Sequence, residues 1–178
     1  VNTICWVASA LSIVSSLGTF ESIMPKYLHT IASGSEIFPV RQYRIWKNAL
    51  PGARFINLYG PTECTGCSCY YEIERDFEPD EVIPIGKHFQ NTDVFLLSEN
   101  DKPTPRGALG EICIRGTGVA LGYYKNPEKT AEVFVQNPLN DCYPELIYRT
   151  GDLGRFNDRD ELVYVSRKDF QIKHMGYR

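Results

Sequence analysis

The sequence predicts an α+β fold: a partial α/β layer with parallel strands over residues 1–75, then a small distorted antiparallel β-barrel over residues 76–168. Three observations predict it. Strand-like and helix-like patterns alternate through the first third of the chain, as they do where helices cover a parallel sheet. After residue 75 short strand-like runs are punctuated by Pro79, Pro84, Pro103 and Pro105, the texture of a curled, mostly antiparallel sheet. The 178 residues are 43% apolar and 23% charged, ordinary globular composition, and such a chain buries roughly 70% of its unfolded surface.

The elements follow in order. Thr3 to Val7 is β-rich, and Ser9 is placed to cap a short helix over Ala10 to Ser16. Tyr27 to Ala32 reads as a strand closed by Ser33-Gly34-Ser35. Pro39 opens a helix in which Val40, Tyr43, Trp46 and Leu50 recur at helical spacing, with Arg41, Arg44 and Lys47 between them. Pro51-Gly52 stops that helix, and Arg54 to Leu58 is a short strand of the buried type. In the second part, Asp93 to Leu97 and Gly110 to Arg115 read as strands joined through a turn at Glu99 to Lys102. Asn126 and Pro127 are N-cap and first position of a short helix through Phe134. Leu146 to Thr150, Leu153 to Phe156 and Leu162 to Val165 read as three further strands.

Composition narrows the function classes. No apolar run approaches the roughly 18 residues that span a bilayer, and the N-terminal run lacks the basic flank of a signal peptide. The formal charge of −3 shows no basic surplus, which argues against nucleic acid as partner. Six cysteines without a secretory signal are expected to be reduced thiols of a cytoplasmic protein. The chain begins at Val1 inside a strand-like run and stops at Arg178 just after another, so a piece of a longer protein is expected.

Five segments carry candidate chemistry. Asn57-Leu58-Tyr59-Gly60-Pro61-Thr62-Glu63 ends a strand with an amide, an aromatic ring, a hydroxyl and a carboxylate. Ligands of open α/β sheets bind beyond such strand ends, and a Glu suits a hard cation; a Gly-Pro turn with a capping Thr is the plain alternative. Arg149-Thr150-Gly151-Asp152 reads as a tight turn whose Asp could accept two hydrogen bonds from a vicinal diol, or as turn chemistry alone. The glycines from Gly110 to Gly122 lack the Lys-Ser or Lys-Thr of a Walker loop and are expected to serve turns and close packing. Cys64, Cys67 and Cys69 could begin a metal site, but no second pair follows. Small buried thiols are expected instead, with Cys67 and Cys69 on one face of a strand. Ser166-Arg167-Lys168-Asp169, with Gln171, Lys173 and His174, is a basic cluster that could meet phosphate or form a solvated face. His29 and His88 have no visible partner and no role.

Taken in order, four of these motifs resemble the adenylate-forming superfamily: Tyr59-Gly60-Pro61-Thr62-Glu63; Gly110-Glu111-Ile112-Cys113-Ile114 with Gly122-Tyr123-Tyr124 and Asn126-Pro127-Glu128-Lys129-Thr130; Tyr148-Arg149-Thr150-Gly151-Asp152; and Arg167-Lys168-Asp169. The resemblance covers nearly the whole chain and is nearest to amino-acid adenylation domains of nonribosomal peptide synthetases and D-alanine–carrier protein ligases. It implies activation of a carboxylic acid with ATP and Mg²⁺ as an acyl-adenylate, followed by transfer to a thiol. It implies that Tyr59 stacks on adenine, Asn57 hydrogen-bonds its amino group, Thr62 touches the α-phosphate and Glu63 ligates Mg²⁺. Asp152 would hold the ribose hydroxyls with help from Arg167, and Gly34 would lie along the acyl-adenylate. Ser33, Leu58, Gly66 and Cys67 would line the acyl pocket, which suits a small or medium apolar group. Asp169 matches the hinge, so residues 169–178 would open the next domain.

The departures are informative. The family's phosphate loop would precede Val1 and its catalytic Lys would follow Arg178, so the chain alone is expected to be inactive. Ser166 stands where the family usually has Gly before the Arg. The partners implied are an amino acid or other small carboxylic acid and a carrier-protein phosphopantetheine or CoA, with no nucleic acid or membrane. An acyl-CoA synthetase, a non-catalytic nucleotide-binding module and a cysteine-based metal domain are the alternatives.

Overall fold

A computed structural model describes residues 1–168 of the chain. The expected hinge residue Asp169, with Gln171, Lys173 and His174, lies outside the described residues. The chain divides into two compact units. One holds residues 1–58 and 71–84; the other holds residues 59–70 and, among those described, 85–168.

The first unit is built on three parallel strands: β1 (Thr3–Val7), β2 (Thr30–Gly34) and the first residues of β3 (Arg54–Tyr59). Helix α1 (Ala8–Ser16) connects the first two and α2 (Val40–Ala49) the next two. The helical spacing of Val40, Tyr43 and Trp46 is realised as the buried face of α2. Trp46 is 2% exposed, and its indole N–H donates to the Leu11 carbonyl at 2.9 Å, so no polar group is orphaned by its burial. Leu11, Ile31, Phe38, Tyr43, Phe55 and Phe77 complete this core.

Two expected details differ. Ser9 does not cap α1, because the helix already begins at Ala8. The Ser9 backbone N–H instead donates to the Glu36 carboxylate at 2.8 Å, a distant acid doing what a local cap would do at a helix N-terminus. The second strand begins at Thr30 rather than Tyr27 and includes Ser33 and Gly34. Its parallel register on β1 runs to the pair Val7↔Gly34, so ladder bonding overrides the loop character of Ser-Gly.

The second unit begins where β3 ends at Tyr59. Its short β4 (Cys69–Glu72) pairs through Cys69 and Tyr70 with β5 (Lys87–His88). The main sheet contains β6 (Thr92–Leu97), β7 (Gly110–Gly116), β9 (Leu146–Phe156) and β10 (Leu162–Arg167) in the order β10-β9-β7-β6, all antiparallel. Helix α3 (Pro127–Val133) leads into β8 (Phe134–Gln136), which pairs with β9. The sheet curls as an antiparallel half-barrel around Val94, Leu96, Ile112, Ile114, Tyr148 and Leu162. Asn126 caps α3 as its sequence position predicts, accepting from the Lys129 N–H at 3.0 Å. No helix among the described residues is long and apolar enough to cross a membrane.

One difference bears on function. The expected strands Leu146–Thr150 and Leu153–Phe156 are a single eleven-residue strand, β9. Arg149-Thr150-Gly151-Asp152 is therefore not a tight turn. Cys113 pairs with Arg149 and Glu111 with Leu153, so one residue of β7, Ile112, lies opposite three of β9. The surplus is absorbed in a bulge at Gly151, whose φ of +71° favours glycine.

Candidate functional site

The bulge sets the geometry of Asp152. Its partner strand is irregular as well, with a register shift between Tyr164 and Ser166, and Asp152 then pairs with Arg167. Asp152 is 3% exposed. Its Oδ1 accepts from Arg167 at 2.7 Å, and its Oδ2 accepts from the Tyr59 hydroxyl at 2.7 Å. Burial, then the Asp152 charge, push the Tyr59 hydroxyl well above the usual phenol range, so it remains a donor. Three residues singled out from distant motifs are thus brought together in one buried constellation. Each carboxylate oxygen has a further lone pair with which to accept from a ligand hydroxyl.

The loop after β3 is fixed by close backbone approach. A Cβ on Gly60 would lie 2.5 Å from the Ser68 nitrogen and 2.6 Å from the Gly66 carbonyl oxygen, so only glycine fits there. The Ser68 N–H closes the loop on the Tyr59 carbonyl at 2.8 Å. Thr62–Cys64 form a single 3-10 turn within it, which exposes Thr62 and buries Glu63. The Glu63 Oε1 accepts from the Tyr123 hydroxyl at 2.7 Å, and its backbone carbonyl accepts from the Ala120 N–H at 2.8 Å. Thr65 Oγ1 donates to the Gly118 carbonyl at 2.8 Å. The segment from Gly118 to Tyr123 therefore straps the Glu63 turn in place. An oriented carboxylate is the donor type that a hard divalent cation takes, so Glu63 fits Mg²⁺.

The candidates of the other unit are arranged differently. Ser33 is 1% exposed, and its hydroxyl has no hydrogen-bond partner among the described residues. Gly34 follows it at the end of β2, where an added Cβ would sit 3.4 Å from the Leu58 Cβ. Asn57 is buried, and its amide N–H donates to the Pro84 carbonyl at 2.8 Å. Its amide oxygen is the half that suits an amino donor such as that of adenine.

The cysteine reading needs one correction. Cys67 precedes β4, which begins at Cys69, so the two do not share a strand face. Cys67 is exposed, whereas Cys64 and Cys69 are buried. Burial pushes both buried thiols up to about 12, which keeps them protonated and poor metal ligands. Gly66, beside Cys67, is exposed with φ +86°.

Four contributors lie outside the residues assigned from sequence: Glu111, Tyr123, Thr150 and Lys168. The Thr150 hydroxyl donates to the Ile112 carbonyl at 2.7 Å and accepts from the Asp152 N–H at 3.0 Å. The Lys168 N–H donates to the Gly151 carbonyl at 2.8 Å. A charged residue directly before the apolar run Ile112-Cys113-Ile114 hints that Glu111 is buried and paired. Its partners are far along the chain, and no local pattern names them.

Comparison with known proteins places the chain in a family. Residues 1–124 match the model of the AMP-binding enzyme family. The chain is 40% identical over 176 residues, 99% of its length, to tyrocidine synthase 3 of Brevibacillus parabrevis, and it covers 3% of that protein. It is 36% identical over 181 residues, 97% of its length, to tyrocidine synthase 2 of the same organism, of which it covers 5%. Among solved structures, it resembles an NRPS protein containing adenylation and PCP domains bound to a vinylsulfonamide inhibitor. The TM-score is 0.89 at 30% identity, covering 99% of this chain and 30% of that one. A nonribosomal peptide synthetase in an α-methyl-L-serine-AMP bound form matches with TM-score 0.84 at 29% identity, over 96% of this chain and 19% of that one. The buried Tyr59–Asp152–Arg167 constellation and the family match converge: this chain belongs to the AMP-binding enzyme family.

Proposed function

We propose that the chain supplies nucleotide- and acid-binding residues of an ATP-dependent ligase that activates an amino acid as its acyl-adenylate and passes it to a carrier-protein phosphopantetheine thiol. The observation that carries this reading is the Asp152 carboxylate, held in a strand bulge between Arg167 and Tyr59. A buried carboxylate with fixed donors and spare lone pairs is built to recognise a vicinal diol such as ribose. The similarity to tyrocidine synthases and to an adenylation–PCP protein favours an amino acid and a carrier protein over fatty acids and CoA.

In this reading Asp152 accepts from the ribose hydroxyls, with its charge held in place by Arg167. The Tyr59 ring offers its face to adenine while its hydroxyl stays on Asp152. Thr62, exposed at the head of its turn, contacts the α-phosphate. Glu63, oriented by Tyr123, holds Mg²⁺, which when bound neutralises charge developing on the phosphate oxygens. In the other unit, Asn57 keeps the adenine role and Gly34 the acyl-adenylate role that the resemblance implies. Ser33, Leu58, Gly66 and Cys67 set the size of the acid. The substrate carboxylate attacks the α-phosphorus and pyrophosphate leaves. No general base is required, because a carboxylate is already ionised at neutral pH. The thiol then attacks the acyl carbonyl and AMP leaves. Such a ligase works in the cytoplasm, where ATP and reduced thiols are present.

The test is ATP–pyrophosphate exchange by the full-length protein bearing this sequence, with pooled amino acids against pooled fatty and aryl acids. Exchange dependent on amino acids is the expected result. Exchange with only fatty or aryl acids moves the protein to the acyl-CoA branch, and no exchange with either pool overturns the catalytic reading.

A further inference from the structure

Glu111 is a buried carboxylate, 6% exposed, near the start of β7 and followed by the buried Ile112, Cys113 and Ile114. Burying a charge in such a place is costly unless it is fully paired. Glu111 collects four donors. Its Oε1 accepts from the Gly151 backbone N–H at 3.1 Å. Its Oε2 accepts from Arg149 Nε at 3.0 Å, from the second Arg149 nitrogen at 2.8 Å, and from Lys168 Nζ at 3.2 Å. Arg149 is itself anchored on the far side by Asp101 at 2.8 Å.

Two of these contacts, from Gly151 and Lys168, close a ring through one residue. The Gly151 N–H goes to Glu111, and its carbonyl takes the N–H of Lys168, whose side chain returns to Glu111. Gly151 is the residue at positive φ in the bulge that aims Asp152. A glycine there has access to many conformations, so the bulge needs an external restraint to hold one of them. Thr150 supplies one restraint, on the Asp152 N–H. Glu111 supplies the other, and only an ionised carboxylate can satisfy an amide, a guanidinium and an ammonium at once.

We infer that Glu111 is a positioning residue: by fixing the Gly151 bulge, it sets the direction of the Asp152 carboxylate and hence the enzyme's selectivity for the ribose hydroxyls of its nucleotide. This rests on the reading of Asp152 as the ribose ligand. Glu111 touches no substrate; it acts through the backbone of its neighbour strand.

The experiment measures KM for ATP, 2′-deoxyATP and 3′-deoxyATP by pyrophosphate exchange in the full-length protein bearing this sequence, unmodified and with Glu111→Ala or Glu111→Gln. The unmodified protein should prefer ATP over the deoxy analogues by about tenfold, the worth of a hydrogen bond to a charged group. In Glu111→Ala the KM for ATP should rise by about tenfold and the preference should fall toward one, while the KM for the acid stays constant. Glu111→Gln, which keeps the shape and one acceptor, should fall between. A role in stability alone would lower the yield of folded enzyme but leave the ATP-to-deoxyATP ratio where it was. If the unmodified protein shows no preference, the ribose reading fails. If it does, and folded Glu111→Ala or Glu111→Gln retains the full preference, the positioning role is overturned. If Glu111→Ala does not fold, the ratio in Glu111→Gln decides.

Discussion

Four of the residues assigned to the nucleotide are held differently from most of those assigned to the acid. Tyr59, Glu63, Asp152 and Arg167 are buried or nearly so, and each side chain is tied by a short hydrogen bond to another element of its unit. On the acid side, Gly66 and Cys67 lie exposed on a loop, Leu58 is half-buried, and the Ser33 hydroxyl has no partner among the described residues. The first set is preorganised before any ligand arrives. In the second, Gly66 and Leu58 carry no polar side-chain group through which to be tied. Under the proposed function, the first arrangement is the one expected for a ligand that does not vary, because rigid supports suit a fixed ribose and phosphate.

The comparison breaks most readily at Asp152. Its ion pair with Arg167 has side-chain exposures of 5% and 12%, so removing one partner strands the other in a poorly solvated position. Asp152→Ala should destabilise the chain by about 3–5 kcal/mol and abolish ATP-dependent exchange. Urea unfolding of the variant reads the first effect directly. A variant as stable as the parent would mean that the nucleotide side is no more tied together than the acid side.

How much of this was legible depends on the range of the forces involved. Strand β1, the buried face of α2 and the cap of α3 were readable because each rests on residues within one or two turns of chain: Thr3 to Val7, Val40 with Tyr43 and Trp46, and Asn126 with Pro127. The roles proposed for Tyr59, Glu63, Asp152 and Arg167 come only from the order of motifs and their resemblance to a family. Their arrangement was not. Thr150-Gly151-Asp152 has turn composition, and nothing nearby says that it lies inside a strand. Its restraints come from Glu111, forty residues away, and from Lys168, just past the end of β10. The same limit hid Tyr123, whose partner Glu63 is sixty residues distant. Cys67 was misread because Cys-Ser-Cys alternates like a strand, whereas the Thr65-Gly66 pair at positive φ holds the chain out of the ladder until Cys69.

A smaller effect is expected at Tyr123. Tyr123→Phe removes the hydroxyl that donates to Glu63 but keeps the ring on Phe134, with centroids 5.5 Å apart. A hydrogen bond to a charged group is worth about 1.5–3 kcal/mol. The Mg²⁺ concentration for half-maximal exchange should rise by about tenfold, with the KM for the acid unchanged. Direct titration of Mn²⁺ binding by paramagnetic relaxation gives a readout independent of turnover. An unchanged Mg²⁺ requirement would remove Glu63 from the tied set.

The smallest effect on stability belongs to Cys67, which also sharpens the contrast, because three cysteines within six residues straddle the border between the two sides. Cys64 and Cys69 are buried, as is Cys113 in β7, and burial pushes all three thiols up to about 12. The thiolate is the reactive form, so it becomes populated only as pH rises toward that value. At pH 8 roughly one molecule in ten thousand is ionised at each site. Iodoacetamide at pH 8 should therefore modify Cys67, with the exposed Cys5 and Cys142, and spare the three buried thiols until urea is added. Cys67→Ala should shift the unfolding free energy by less than about 0.5 kcal/mol, as expected for an exposed site. It should nevertheless alter the preference among acids by several-fold, because one side chain of pocket volume is worth about 1–3 kcal/mol of discrimination. Alkylation of Cys64 or Cys69 as fast as Cys67 would show that the loop opens as a whole. The accessible character of Cys67 would then extend into the Glu63 turn, and the line drawn between the two sides would have to move.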